Sequence, residues 1–158
     1  MSTFGTIPAE PPRIHSLDDC APQFAAAVEQ VLLAVPNAVV FESLRTDERQ
    51  AWLYGFGRDY DDGRGLVTHA ETAENGWHFF GLAVDIIHQR KEWDAGDAWF
   101  TSLGEAYEAH GLTWGGRWKM RDLPHGQHGK CRTTPSDEAR SLYRSGGNEA
   151  VWDAVGAS

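Results

Sequence analysis

The sequence predicts an α+β fold in one domain, and three observations lead there. The chain has 158 residues, about the length of one domain. Segments of helical spacing and short β-rich runs follow one another without the βαβα rhythm of a doubly wound sheet. Forty-one per cent of residues are hydrophobic and 7 are Trp, enough apolar material for a core and too much for a disordered chain.

Each element has its own local cause. Residues 1–15, rich in Pro and short polar residues, read as an extended arm, with the domain proper at 16–158. Ser16 is placed to cap a helix over about 17–34, with Asp18 and Asp19 at the positive end of its dipole. Phe24, Val28, Val31 and Leu32 fall on one face of that helix, and Pro36 and Asn37 stop it. Ala38–Leu44 is short and β-rich, hence a strand. Thr46 caps a second helix reaching Tyr54 or Phe56, with Asp47 and Glu48 in its first turn. Gly57–Gly65 is turn chemistry throughout, and Leu66–Thr68 reads as a short strand. Leu82–Ile87 is a strand with one charged residue, Asp85. A third helix spans about 95–110, its stripe formed by Trp99, Leu103, Ala106 and Tyr107, with Gly111 just beyond. Leu112–Trp114 is a short strand, and residues 115–132 read as mostly irregular. Pro135 opens a helix to Arg144 from its first position, and Asn148–Val155 forms a last short one.

Charge and composition exclude several functions. The 14 Lys and Arg against 23 Asp and Glu leave a net charge of −9, unsuited to neutralising phosphates. No run approaches the ~18–20 apolar residues of a membrane span. Met1–Pro12 has neither a basic nor an apolar leader region, so no signal peptide is expected. Cys20 and Cys131 lie far apart with no CxxC, so they form no disulfide framework or thiolate zinc site; two buried or idle thiols are expected, with a single bridge as the alternative. There is no GxGxxG, Walker loop or nucleophile elbow, and the acidic stretch Asp59–Gly63 completes no calcium pattern.

Three constellations carry chemistry. His78 precedes a Gly-containing bend, and Asp85 sits in an apolar strand, where a carboxylate must be paired, hydrogen-bonded or metal-bound. The ordinary alternative is an Asp that caps a loop amide beside a core histidine. Asp122, His125 and His128 form the second: imidazoles suit zinc and a carboxylate suits a base beside it, while a solvated His-rich loop is the alternative. Arg45 stands at a strand–helix junction, suited to a substrate carboxylate or carbonyl, or to pairing with Glu42, Asp47 or Glu48.

In order along the chain, these segments resemble one family. Ser43-Leu44-Arg45-Thr46 with Gln50, Leu53-Tyr54 and Gly57-Arg58 is similar to its S-x-R-S-x-x-x-Q…LY…GR opening. Thr68-His69-Ala70 and Trp77-His78 through Asp85 resemble T-x-A…S-x-H-x-x-G-x-A-x-D. Trp114-Gly115-Gly116-Arg117-Trp118 and Asp122-Leu123-Pro124-His125 resemble WGG-x-W…D-x-P-H. The family is that of zinc D-Ala-D-Ala carboxypeptidases and L-alanyl-D-glutamate endopeptidases of peptidoglycan, and the resemblance covers about residues 16–130.

The resemblance implies a small antiparallel sheet flanked by helices, of the hedgehog/DD-peptidase type. It implies Zn2+ held by His78, Asp85 and His125, with Asp122 as catalytic base and Arg45 at the oxyanion or substrate. His128 would then lie outside the ligand set. D-x-P-H after WGG-x-W points to the phage endolysin branch, which cuts L-Ala–D-Glu in the stem peptide. The D-Ala-D-Ala carboxypeptidase and a non-catalytic phage structural or binding module are the alternatives. A monomer is expected, without nucleic acid or membrane insertion. Without a signal peptide it would collect in the host cytoplasm before reaching the wall, or travel in a virion. Two departures bear on the cleft: Gly76 replaces a family Ser, removing a hydroxyl, and Gly126 replaces an aromatic residue, which would open one wall. The interval from Trp118 to Asp122 is also about one residue short.

Overall fold

The computed structural model describes residues 3–158, so Met1 and Ser2 of the expected arm lie outside the described residues. Four strands, β1 (Ala38–Glu42), β2 (Ala83–His88), β3 (Leu112–Trp114) and β4 (His125–His128), form one sheet. All neighbours are antiparallel, in the order β1-β2-β4-β3. Around it stand α1 (Pro22–Ala34), α2 (Asp47–Gly55), α3 (Asp97–Ala109) and α4 (Asp137–Val155). This is the α+β architecture that the sequence predicts. Among the described residues, no helix is long and apolar enough to cross a membrane.

Several boundaries differ from expectation for local reasons. α1 starts at Pro22 rather than near 17, because a residue before proline is pushed out of the helical region, as Ala21 is at φ −53°, ψ 130°. The Ser16 hydroxyl accepts from the Asp18 amide and caps no helix. Leu66–Thr68 forms no strand; it has no ladder partner and leaves Leu66 and Val67 exposed. α4 is capped by Ser136, whose hydroxyl accepts from the Ala139 amide, so Pro135 precedes the helix instead of opening it. Gly147, at φ 71° and ψ −166°, kinks α4 between the two expected helical pieces. The largest correction is β4. His-Gly-Gln-His has little strand propensity, yet ladders to β2 and β3 on both sides impose the extended form.

The core explains which face of the sheet is left for chemistry. Phe24, Val28 and Val31 of α1 and Phe100, Leu103 and Tyr107 of α3 bury with Val84 and Ile86 of β2. Strand alternation turns Asp85, between those two, to the other face. A smaller apolar cluster (Trp52, Leu53, Phe56 and Tyr60) forms on and after α2, and Ile7 of the arm packs against it. The arm is fastened by Gly5 N–H to the Asp59 carbonyl at 2.8 Å and by the Trp52 indole to the Pro8 carbonyl at 3.0 Å. Cys20 and Cys131 are free thiols, and burial pushes both up to about 12.

Gly126 has a different role from the one expected. On β4 it points away from the cleft, and a Cβ there would lie 2.4 Å from the Tyr107 ring. That ring is fully buried and anchored by its hydroxyl, which donates to the Pro124 carbonyl at 2.8 Å. The missing side chain makes room for Tyr107 and opens no wall of the cleft. Gly126→Ala is therefore expected to cost about 1–3 kcal/mol by overpacking, read as a lower urea midpoint at unchanged slope.

Candidate metal centre

The ladders bring the chemistry-bearing residues into a row. Glu42 of β1 stands opposite Asp85 of β2, and Asp85 stands opposite His125 of β4. A bulge makes the first pairing: Val40 opposes Ile86, and the extra residue Phe41 shifts Glu42 opposite Asp85. His78 arrives from a short 3-10 turn, Trp77–Phe80, ended by Gly81 in the left-handed region at φ 69°. A Cβ on Gly81 would meet the Asp19 carbonyl at 2.8 Å, so only glycine lets the chain turn from His78 into β2 there.

His78, Asp85 and His125 each offer a ligand atom, and these atoms lie within 4.8 Å of one another. His78 Nε2 is 3.3 Å from Asp85 Oδ2, and His125 Nδ1 is 3.4 Å from Asp85 Oδ1. The outward nitrogens are both held. His78 Nδ1 lies 2.9 Å from the Ser43 carbonyl, which can only accept, so Nδ1 carries the proton and Nε2 faces Asp85. His125 Nε2 lies 2.8 Å from Gln127 Oε1. The amide orientation is fixed in turn, because Gln127 Nε2 donates to the Arg132 carbonyl at 2.7 Å. His125 therefore presents Nδ1 to Asp85. Two imidazoles and one carboxylate, with both ring tautomers fixed from outside, are a donor set that fits zinc with a coordination position to spare.

The carboxylate and the imidazoles stabilise one another's charged forms. Burial would raise the Asp85 pKa, but the charges and hydrogen bonds of His78 and His125 hold it well below the usual carboxylate range. Burial would likewise lower His125, but Asp85, then Asp122, raise it above its usual value. Asp122 lies at the edge of the group, its side chain 49% exposed and its Oδ2 3.9 Å from His125 Nδ1. Burial of its carboxyl and the charge of Asp85 raise its pKa. Gly115 lets this loop approach: a Cβ there would lie 2.6 Å from the Asp122 carbonyl and 3.1 Å from His125 Cβ.

Arg45 reaches the same row from the strand–helix junction. Its Nη2 donates to Glu42 Oε1 at 2.8 Å and to Asp85 Oδ2 at 3.4 Å, and its Nη1 donates to Gln50 Oε1 at 3.1 Å. Of the three acids expected as its partners, Glu42 is the one it uses. His128 is not in the group. It faces the other way, with Nε2 3.1 Å from Gln23 Oε1 and Nδ1 accepting from the Lys130 amide. A cleft of about 770 Å³ opens over the row, walled by Trp77, Trp93 and Trp118 among others. Gly76 lines it, and a Cβ there would touch nothing nearer than the Ala73 carbonyl at 3.9 Å, so a serine fits that position.

Two contributors were not expected from the sequence: Gln127, and Glu42 as the acid opposite Asp85. The i, i+2 spacing of His125 and Gln127 is a signal only once 125–128 is known to be a strand. The Glu42 placement depends on a bulge that no residue pattern announces.

The model of a family described as D-alanyl-D-alanine carboxypeptidase matches residues 70–128. The fold is similar to that of Serratia marcescens L-Ala D-Glu endopeptidase ChiX, with a TM-score of 0.55 and 22% identity. That match covers 74% of this chain and 90% of the other. The family match falls on the peptidase family that the motifs resemble, and the structural match shows a shared fold. The family segment at 70–128 contains His78, Asp85, Asp122 and His125, whereas Arg45 lies before it. No curated protein matches the chain.

Proposed function

We propose that the chain is a zinc peptidase of the endolysin type that hydrolyses the L-Ala–D-Glu bond of the peptidoglycan stem peptide. The observation that carries this reading is the convergence of His78, Asp85 and His125 with both outward ring nitrogens held, and a carboxylate beside them. His78 Nε2, an Asp85 oxygen and His125 Nδ1 would hold the ion. Bound zinc supplies Lewis acidity, polarising a carbonyl and making water nucleophilic near neutral pH.

The remaining steps belong to the protein's own groups. The Asp122 carboxylate takes the proton of the attacking water and returns it to the leaving amine. The Arg45 guanidinium, held by Glu42 and Gln50, is oriented in advance to meet charge on the carbonyl oxygen or on the substrate.

The D-x-P-H motif and the fold of the Serratia endopeptidase favour the L-Ala–D-Glu bond. The description of the matching family favours a second reading, removal of the terminal D-Ala. Mass spectrometry of digested muropeptides separates the two. Opening of L-Ala–D-Glu, lost in chelator and regained with Zn2+, is the expected result; release of D-Ala alone selects the second reading. Stoichiometric zinc with no turnover on any muropeptide would leave a binding module and overturn both.

A further inference from the structure

Arg49 is 2% exposed and lies in the wall of the cleft. Its Nε donates to Glu42 Oε2 at 2.9 Å, while Glu42 Oε1 takes Arg45 Nε and Nη2 at 3.1 and 2.8 Å. Two guanidinium groups thus share one buried carboxylate. Asp85, the other acid touching Arg45, faces the two histidines. Arg45 thus has a second acid in Asp85, whereas Arg49 shares Glu42 and needs one more negative charge of its own. The arm supplies that charge: Glu10 Oε1 meets Arg49 Nη1 at 2.6 Å, from a side chain that is 51% exposed. Glu10 also lines the cleft, so the contact is within reach of whatever occupies it.

The contrast between the two acids assigns their roles. Glu42 is 1% exposed and held by three arginine contacts, so it cannot leave without stranding buried charge. Glu10 sits on an irregular arm, half in solvent, and can be exchanged for another anion at small cost. We infer that Arg49 is a binding position for a free carboxylate of the substrate, and that Glu10 holds this position until the substrate displaces it. The row Asp85, Arg45, Glu42, Arg49, Glu10 then runs from the reaction centre to the mouth of the cleft. This rests on the peptidase reading for the choice of ligand. In L-Ala–D-Glu the residue beyond the cleaved bond keeps a carboxylate outside its peptide linkages, and in the terminal D-Ala reading it keeps the chain's own.

The test compares N-acetyl-L-Ala-D-Glu, its central linkage made uncleavable as a ketomethylene, with the corresponding diamide, titrated calorimetrically into zinc-loaded wild type and Glu10→Gln, while cleavage is followed on the ordinary dipeptide. Glu10 is exposed, so the variant is expected to fold, and its melting curve checks this. The acid should bind Glu10→Gln roughly fivefold to tenfold more tightly than wild type, because a competing charge-assisted hydrogen bond is gone. The diamide should bind both alike. Arg49→Lys, which keeps the charge and loses the planar fork, should weaken the acid and spare the diamide. No change for the acid, or equal tightening for both probes, overturns the inference. The peptidase reading is judged separately: binding that discriminates acid from diamide without cleavage of the bond sinks that reading and leaves the carboxylate position standing.

Discussion

Asp122→Asn should retain one zinc per chain and an unchanged melting curve while kcat on muropeptides falls by about 10²–10⁴-fold, the usual scale of general acid–base catalysis. The side chain is half-exposed, and its one close ionic neighbour is His125 at 3.9 Å. Substitution therefore removes no packing and strands no buried partner, so stability should move by less than about 0.5 kcal/mol. The carboxyl must be ionised to act as a base. Burial and the Asp85 charge raise its pKa, and a cation held by Asp85 and the two imidazoles would draw it down again, so the wild-type profile should show an acid limb set by Asp122. Activity is then lost as pH falls through the Asp122 pKa, and the residual activity of the Asn variant should lack the limb. Turnover unchanged in Asp122→Asn, measured with metal content on the same sample, would remove Asp122 from the mechanism.

The part of the centre legible in the sequence was the part carried by ordered short motifs. His78 and Asp85 lie on either side of one glycine turn, and Asp122 and His125 on either side of one proline, so local spacing keeps each pair together. What brings the two pairs to one place is the β2–β4 ladder, and β4 is made of residues with little strand propensity. Only tertiary pairing explains it. The reading of Gly126 failed for the same reason: in an irregular loop its side could face the cleft, whereas strand alternation turns it to Tyr107. Glu42 was legible as an acid near Arg45, but its place opposite Asp85 depends on the bulge at Phe41. The Arg49–Glu10 pair spans 39 positions of sequence, beyond the reach of any local pattern.

Gln127 offers the sharper test of how the ligand set is built. Its amide links two groups that would otherwise be unpaired, accepting from His125 Nε2 and donating to the Arg132 carbonyl. It is 1% exposed, so water cannot replace either bond. If Gln127 fixes the His125 tautomer, Gln127→Leu should weaken zinc binding about 10–100-fold, the scale of lost outer partners of metal-bound histidines. Competition with a chelating dye reads this without reference to turnover. Destabilisation by the leucine is also expected, since it leaves the Arg132 carbonyl and the His125 N–H unpaired. Gln127→Glu separates the two effects. Its carboxylate still accepts from His125 Nε2 but no longer donates to Arg132, so the fold should weaken while zinc affinity stays near that of wild type. Parallel loss of zinc affinity in both variants would make Gln127 a packing residue only. Retention in Glu and loss in Leu would make the chain Arg132, Gln127, His125 the device that aims the second imidazole at Asp85.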